Sequence, residues 1–321
     1  MRFSNALVLC DRDPPGDRAL SVARRMTEPG GRVTLLGVVE SSGPGALGRW
    51  LRLLAGLRGE AAERALLARR RAALESRIAG AGGDGPATAC VVRQGSAADE
   101  AVRQVIEGGH DLLVKEAADN PAAGFRSLDM RLLRYCPCPL WLIAPRAQGP
   151  LRRIVAAVDT TSDEPAHEAL NPRILSIAHA IAAREGASLD VLSLWHLPEE
   201  EALRHALSGM QAEIEDTLEA TRARSADRLE RLVRGLDPAV PVRPVHRKGR
   251  PADAIVAHAE AERADLLVMG TLGRTGVAGL FIGNTAETIL GRVPCSVVAI
   301  KPEGYMSPLQ TEHETGRKGP A

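Results

Sequence analysis

VMGTLGRTGVAGLFIGNTAET, Val268–Thr288, is the stretch whose reading decides the fold. It is preceded by Asp265-Leu-Leu-Val268, a short apolar run after charged residues, which reads as a buried parallel strand. From Asn284 to Leu290 the pattern turns helical, with Glu287 placed early enough to complement the macrodipole. Between strand and helix lie Gly270, Gly273, Gly276, Gly279 and Gly283. Glycine lets a backbone approach a ligand closely, and N–H groups aimed from such a loop toward a helix start suit an anion such as phosphate. No Gly-Lys-Ser/Thr follows, so this is not a Walker loop, and the glycines are too widely spaced for the dinucleotide fingerprint. Glycines that only relieve backbone strain are the alternative.

Outward from this stretch the chain is a duplication. VRQGSAADEAVRQVIEGGHDLLVKEA from Val92 aligns without a gap on HRKGRPADAIVAHAEAERADLLVMGT from His246. Gly95 falls on Gly249, Asp99 on Asp253, and Asp111-Leu-Leu-Val on Asp265-Leu-Leu-Val. Short aliphatic strands near Ala6–Cys10, Arg32–Val39, Ala89–Arg93, Leu112–Val114 and Leu140–Ala144 alternate with helical patterns. Arg152–Val158, Ser188–Leu194, Val242–Arg247, Leu266–Met269 and Ser296–Ile300 repeat the scheme. Such alternation predicts α/β domains, each with a parallel sheet covered on both faces. Gly149-Pro150 marks the linker, giving domains over 1–147 and 148–303, and the Gly-, Pro- and charge-rich 304–321 reads as a disordered tail.

The halves differ at the glycine loop. The first half carries KEAADNPAAGFRSLD there, with one glycine and carboxylates at Glu116 and Asp119, a poor setting for phosphate.

The spacing Gly270-x2-Gly273-x9-Gly283, followed by Asn284 and Thr285, resembles the nucleotide loop of the universal stress proteins. GNTAE and the CPCP and KPEGY stretches are similar to its tandem, two-domain subclass, and the resemblance covers nearly the whole chain. It implies two Rossmann-like domains of the adenine nucleotide alpha hydrolase-like kind, each a five-stranded sheet in the order 3-2-1-4-5. It implies ATP as ligand, with Mg2+ where it accompanies the phosphates, bound where the order reverses beside the first strand. Asp159 would then hold the nucleoside, the backbone near Trp195 and His196 the base, and Gly270, Gly273, Gly283, Asn284 and Thr285 the phosphates. Asn284 stands where the family usually has Ser or Thr, which alters the reach of that donor. Arg274, inside the loop, is a candidate cation for the phosphates, and His246–Arg250 a weaker one. For Asp159 a helix N-cap is the competing role, although Ser162 or Asp163 could supply it.

Composition narrows the classes of function. The 321 residues carry a net charge of +1 and only 2% aromatics, which argues against nucleic acid as partner. No apolar run approaches the ~20 residues of a membrane span. The N-terminal MRFSNALVLCDRD superficially resembles a lipoprotein signal, but Ala6–Leu9 is too short for its apolar core and reads as a first strand. Five scattered cysteines read as reduced thiols of a cytoplasmic protein, and Cys136-Pro-Cys138 as a turn, not a metal site. Trp50–Ile78 reads as a basic covering helix. The expectation is an ATP-binding regulator of a stress response, with an unspecified protein partner and at most slow hydrolysis. A scaffold without nucleotide is the alternative. The two aliphatic fifth strands suggest an intramolecular pseudo-dimer, with a homodimer optional.

Overall fold

The computed structural model describes residues 3–11, 17–40, 59–83, 85–117, 128–145, 147, 149–196, 200, 204, 209–271 and 283–310. Two compact units are present, Arg2–Pro145 together with the chain from Met306 on, and Arg146–Tyr305. The first unit runs β1 (Phe3–Cys10), α1 (Asp17–Met26), β2 (Thr27–Val39), α2 (Gly59–Gly80), β3 (Ala87–Gln94), α3 (Ala97–Gly108), β4 (Leu112–Glu116), α4 (Leu128–Tyr135) and β5 (Leu140–Ile143). The second runs β6 (Arg153–Val158), α5 (Pro165–Glu185), β7 (Ser188–Trp195), α6 (Gln211–Arg234), β8 (Val242–Lys248), α7 (Pro251–Ala261), β9 (Leu266–Gly270), α8 (Asn284–Leu290) and β10 (Ser296–Ile300).

Within each unit the strands are parallel, ordered β3-β2-β1-β4-β5 and β8-β7-β6-β9-β10. The 3-2-1-4-5 order is thus found twice. The inner strands are continuous apolar runs because helices cover both faces: Ala6, Leu7, Ile154, Val155, Leu266 and Leu267 are all 0% exposed. At the edge, β8 (VRPVHRK) is half-exposed and tolerates Pro244, whose missing N–H would interrupt an inner ladder.

The register makes the duplication exact enough to transfer positions. Ala6 pairs with Leu112 as Ile154 pairs with Leu266, so Asp11 and Asp159 are equivalent first residues beyond β1 and β6. The repeated Asp of Asp-Leu-Leu-Val has a structural task. Asp111 accepts from the backbone N–H groups of Ser4 and Asn5 at 2.7 and 3.0 Å, and Asp265 from those of Arg152 and Arg153 at 2.7 and 2.9 Å. Gly95 and Gly249 likewise donate to Val39 O and Trp195 O, both at 3.1 Å, from backbones with φ of 150° and 158°. One position breaks the chemistry of the pair: Gly109 ends α3 at φ 60°, whereas Arg263 carries φ 51° at the same place after α7.

The covering helix of the first unit begins at Gly59, and 50–58 lie outside the described residues. Cys136 and Cys138 occupy the turn into β5, buried and unbridged with their sulfurs 3.5 Å apart. Composition predicts disorder from 304, yet Gly304–Gln310 has a turn and a buried Ser307 whose carbonyl accepts from Gln310 N at 2.9 Å. Residues 311–321 lie outside the described residues. No helix among the described residues is long and apolar enough to cross a membrane.

Candidate functional site

In the second unit the strand order reverses at β6, which pairs with β7 on one side and β9 on the other. Asp159 follows β6, and its carboxylate is largely committed to the chain around it. Oδ1 accepts from Thr161 N at 2.9 Å, Thr161 Oγ1 at 2.8 Å and Ser162 N at 3.1 Å. This is an Asx-type turn, not a helix cap. The N-cap of α5 is Glu164, which makes no side-chain capping bond, while Ser162 Oγ accepts from Glu164 N at 3.2 Å. Asn171, buried on α5, grips the Asp159 backbone from both sides: its Oδ1 accepts from Asp159 N at 3.0 Å, and its Nδ2 donates to Asp159 O at 2.6 Å.

One turn earlier on α5 is His167, which sequence reasoning overlooks. Its buried ring has Nδ1 3.6 Å from Asp159 Oδ2 and Nε2 3.6 Å from Glu164 Oε2. His167 and Asn171 stand four residues apart and so share a helix face. That spacing was readable; its partnership with Asp159 was not.

At the end of β9, Gly270 is glycine for a packing reason. A Cβ there would lie 2.4 Å from Leu170 Cδ2, so a side chain on Gly270 and the present seat of α5 exclude each other. Thr271 follows the strand, donating N–H to Ile300 O at 3.0 Å. Its own carbonyl accepts from Gly283 N at 3.3 Å, so the chain that leaves at Thr271 returns beside the same residue. Gly283 has an ordinary φ of −61° and caps α8, its carbonyl accepting from Glu287 N at 3.2 Å. The N–H groups of Asn284, Thr285 and Ala286 precede that first intrahelical bond. Thr285 is exposed. Gly273, Arg274, Gly276 and Gly279 lie outside the described residues, as does the side chain of Asn284.

Trp195 ends β7 with its carbonyl already accepting from Gly249 N, leaving one lone pair for another donor. Its ring stacks on His246, centroids 6.3 Å apart at 24°, with Lys248 Nζ 5.4 Å from the ring centre. His196, half-buried, follows it. Behind this shelf is a closed set of buried hydroxyls: Thr160 Oγ1 lies 2.5 Å from Ser193 Oγ and 2.6 Å from Ser225 Oγ, and His246 Nε2 3.0 Å from Ser225 Oγ. Arg228 donates to Ser162 O at 2.9 Å and Asp163 Oδ1 at 2.5 Å. The loop after β6 is thereby tied to α6.

Glu116 does not offer free negative charge: it is buried, and its Oε2 pairs with Arg18 at 3.0 Å. Asp119 lies outside the described residues.

Asp190, His258 and Glu262 place potential ligand atoms within 4.8 Å of one another. Arg243, however, pairs with both Asp190 and Glu262, supplying the positive charge a metal ion would bring. Burial works to raise the Asp190 carboxyl, but Arg243 and His258 outweigh it and hold the group below its usual range. The cluster is an ion-pair network.

The family model described as Universal stress protein family matches residues 2–144 and 150–301. Universal stress protein E of Escherichia coli (strain K12) is 29% identical over 217 residues, covering 66% of this chain and 67% of that protein. The Universal stress protein E homolog of Haemophilus influenzae is 26% identical over 228 residues, covering 66% and 69%. Among solved structures, a protein of unknown function from Pseudomonas aeruginosa PAO1 aligns with a TM-score of 0.61 at 22% identity, covering 99% of this chain and 98% of that one. A universal stress protein from Archaeoglobus fulgidus DSM 4304 aligns with a TM-score of 0.55 at 16% identity, covering 92% and 98%. At such identities the structural likeness shows the fold alone.

Proposed function

The chain belongs to the universal stress protein family, and on that premise we propose that its second domain binds ATP at the carboxyl ends of β6 and β9. In this reading the bound nucleotide sets the state of a cytoplasmic stress-response regulator that acts through a protein partner. The observation that supports it most is convergence. Asp159 and Gly270–Thr271 lie at the ends of neighbouring parallel strands at the reversal point, and Gly283, at the start of α8, donates its N–H to Thr271 O beside them.

Each element then has a definable part. Asp159, whose loop is fixed by Thr161 and Ser162 at the end of β6, meets the nucleoside. The second lone pair of the Trp195 carbonyl and the backbone at His196 serve the base. Gly273, Arg274, Gly283, Asn284 and Thr285 surround the phosphates, where Mg2+ would add screening of their charge. Asn171 and His167 hold Asp159 in place.

Mass spectrometry of small molecules released from purified protein identifies what it carries, and titration calorimetry with ATP measures the affinity. Gly283→Val is expected to weaken ATP at least tenfold, since a side chain there takes the space of a phosphate. The ordinary φ at Gly283 accommodates valine, so the thermal midpoint should hold. A purified Gly283→Val protein that binds ATP like the parent overturns the reading.

A further inference from the structure

The first domain has a counterpart of this site, and one of its own side chains fills it. Asp11 is equivalent to Asp159, and the shared Asp-Leu-Leu-Val places Lys115 where the second domain has Met269. Asp129, in the first turn of α4, stands as far before Cys138 as Ala286 in α8 stands before Cys295. Lys115 is only 1% exposed. Its Nζ is 2.9 Å from Asp11 Oδ2 and 2.8 Å from Asp129 Oδ1, and it donates to Glu116 O at 2.6 Å.

Three oxygens thus surround the ammonium: the Glu116 carbonyl accepts a hydrogen bond from it, and the Asp11 and Asp129 carboxylates pair with its charge. A buried charge persists only when paired and hydrogen-bonded, and Lys115 meets both conditions. Two carboxylates and a carbonyl around one positive point are also the oxygen-only surroundings a bound cation takes. In the second domain Met269 and Ala286 supply neither the charge nor the second carboxylate, and Asp159 turns to Thr161, Ser162 and His167 instead.

We propose that Lys115 is a tethered cation that permanently fills the first-domain counterpart of the ligand site, and so determines that only the second domain exchanges ligand. The ligand clause rests on the nucleotide reading above; the occupancy of the first domain does not.

The test uses the full chain. Lys115→Ala removes a propylammonium-sized group, and its thermal midpoint should fall by several degrees in calorimetry. Propylammonium chloride at tens of millimolar should restore part of that loss, while 1-propanol and KCl at equal concentration should not. Lys115→Met keeps the stem without the charge. It should be destabilised too, and Lys115→Met/Asp129→Ala should recover part of the loss by removing one of the two like charges that the ammonium holds together. Lys115→Met as stable as the parent overturns the proposal. Should the variants fail to fold, amine acetylation of the native parent with peptide mapping decides: Lys115 should stay unmodified while exposed Lys248 reacts, and rapid acetylation of Lys115 overturns it. ATP stoichiometry separates the two readings. Two sites per parent chain refutes the tethered cation, whereas no ATP at all refutes the nucleotide reading and leaves the Lys115 measurements standing.

Discussion

Gly270 shows how a residue can look like part of a ligand cradle and have a second reason to be there. Leu170, 5% exposed, occupies the space a Cβ would need, at 2.4 Å. Gly270→Ala is therefore expected to cost about 1–3 kcal/mol, the usual penalty of overpacking. Adding Leu170→Ala should abolish that extra cost, making the double variant no less stable than Leu170→Ala alone. Urea denaturation of the three variants checks this, and additive losses would remove the packing explanation. Asp159 teaches the converse. A carboxylate after a strand is easily marked as a ligand contact, but one of its oxygens already accepts three bonds from its own loop.

Elements are joined to one another by a few polar side chains whose position in the strands is repeated. Asp265 fastens the start of β9 to the start of β6 through two backbone N–H groups. Asp265→Ala should cost about 1–3 kcal/mol, with Asp265→Asn losing less because one amide oxygen remains. Equal stability of Asp265→Ala and the parent in denaturant titration would count against this role. A second junction involves β7, β8 and α7, where His258 Nε2 lies 3.1 Å from Asp190 Oδ2, with Arg243, Arg247 and Glu262 around it. Burial lowers the His258 imidazole below its ordinary 6.5, and Asp190 offsets this only in part. Below pH 6.5 the unfolded chain therefore takes up a proton that the folded chain resists. Stability contributed above that pH is lost as pH falls toward the depressed folded value. His258→Gln should flatten this part of the midpoint profile between pH 7.5 and 5. Parallel profiles for parent and variant would refute it.

On the scale of the whole molecule, two domains of one fold carry different contents at equivalent positions. A ligand that binds only the folded second domain stabilises that domain alone, by about 2.7 kcal/mol at a hundredfold excess over its Kd. Saturating ATP should raise the thermal transition of the second domain and leave that of the first unmoved, because Lys115 already occupies the space between Asp11 and Asp129. Hydrogen exchange resolved by peptide distinguishes the domains, and equal protection of β1 and β6 on adding ATP would contradict the asymmetry.

The sequence by itself determined the parallel α/β class, the duplication, the strand positions to within a few residues and the family. These rest on patterns that repeat over a few residues or recur whole, and each is visible without knowing any contact. The tertiary structure alone decided the use of each polar group. Lys115 follows an apolar strand run, and nothing local shows that Asp11 and Asp129 will meet it. His167 reads as one residue of a covering helix until α5 is laid beside the end of β6. Glu116 looks like free charge until Arg18 reaches it from α1. Hydrogen bonds act over about 3 Å, whereas these partners lie far apart along the chain. Only the register of the sheet and the seating of the helices bring them together.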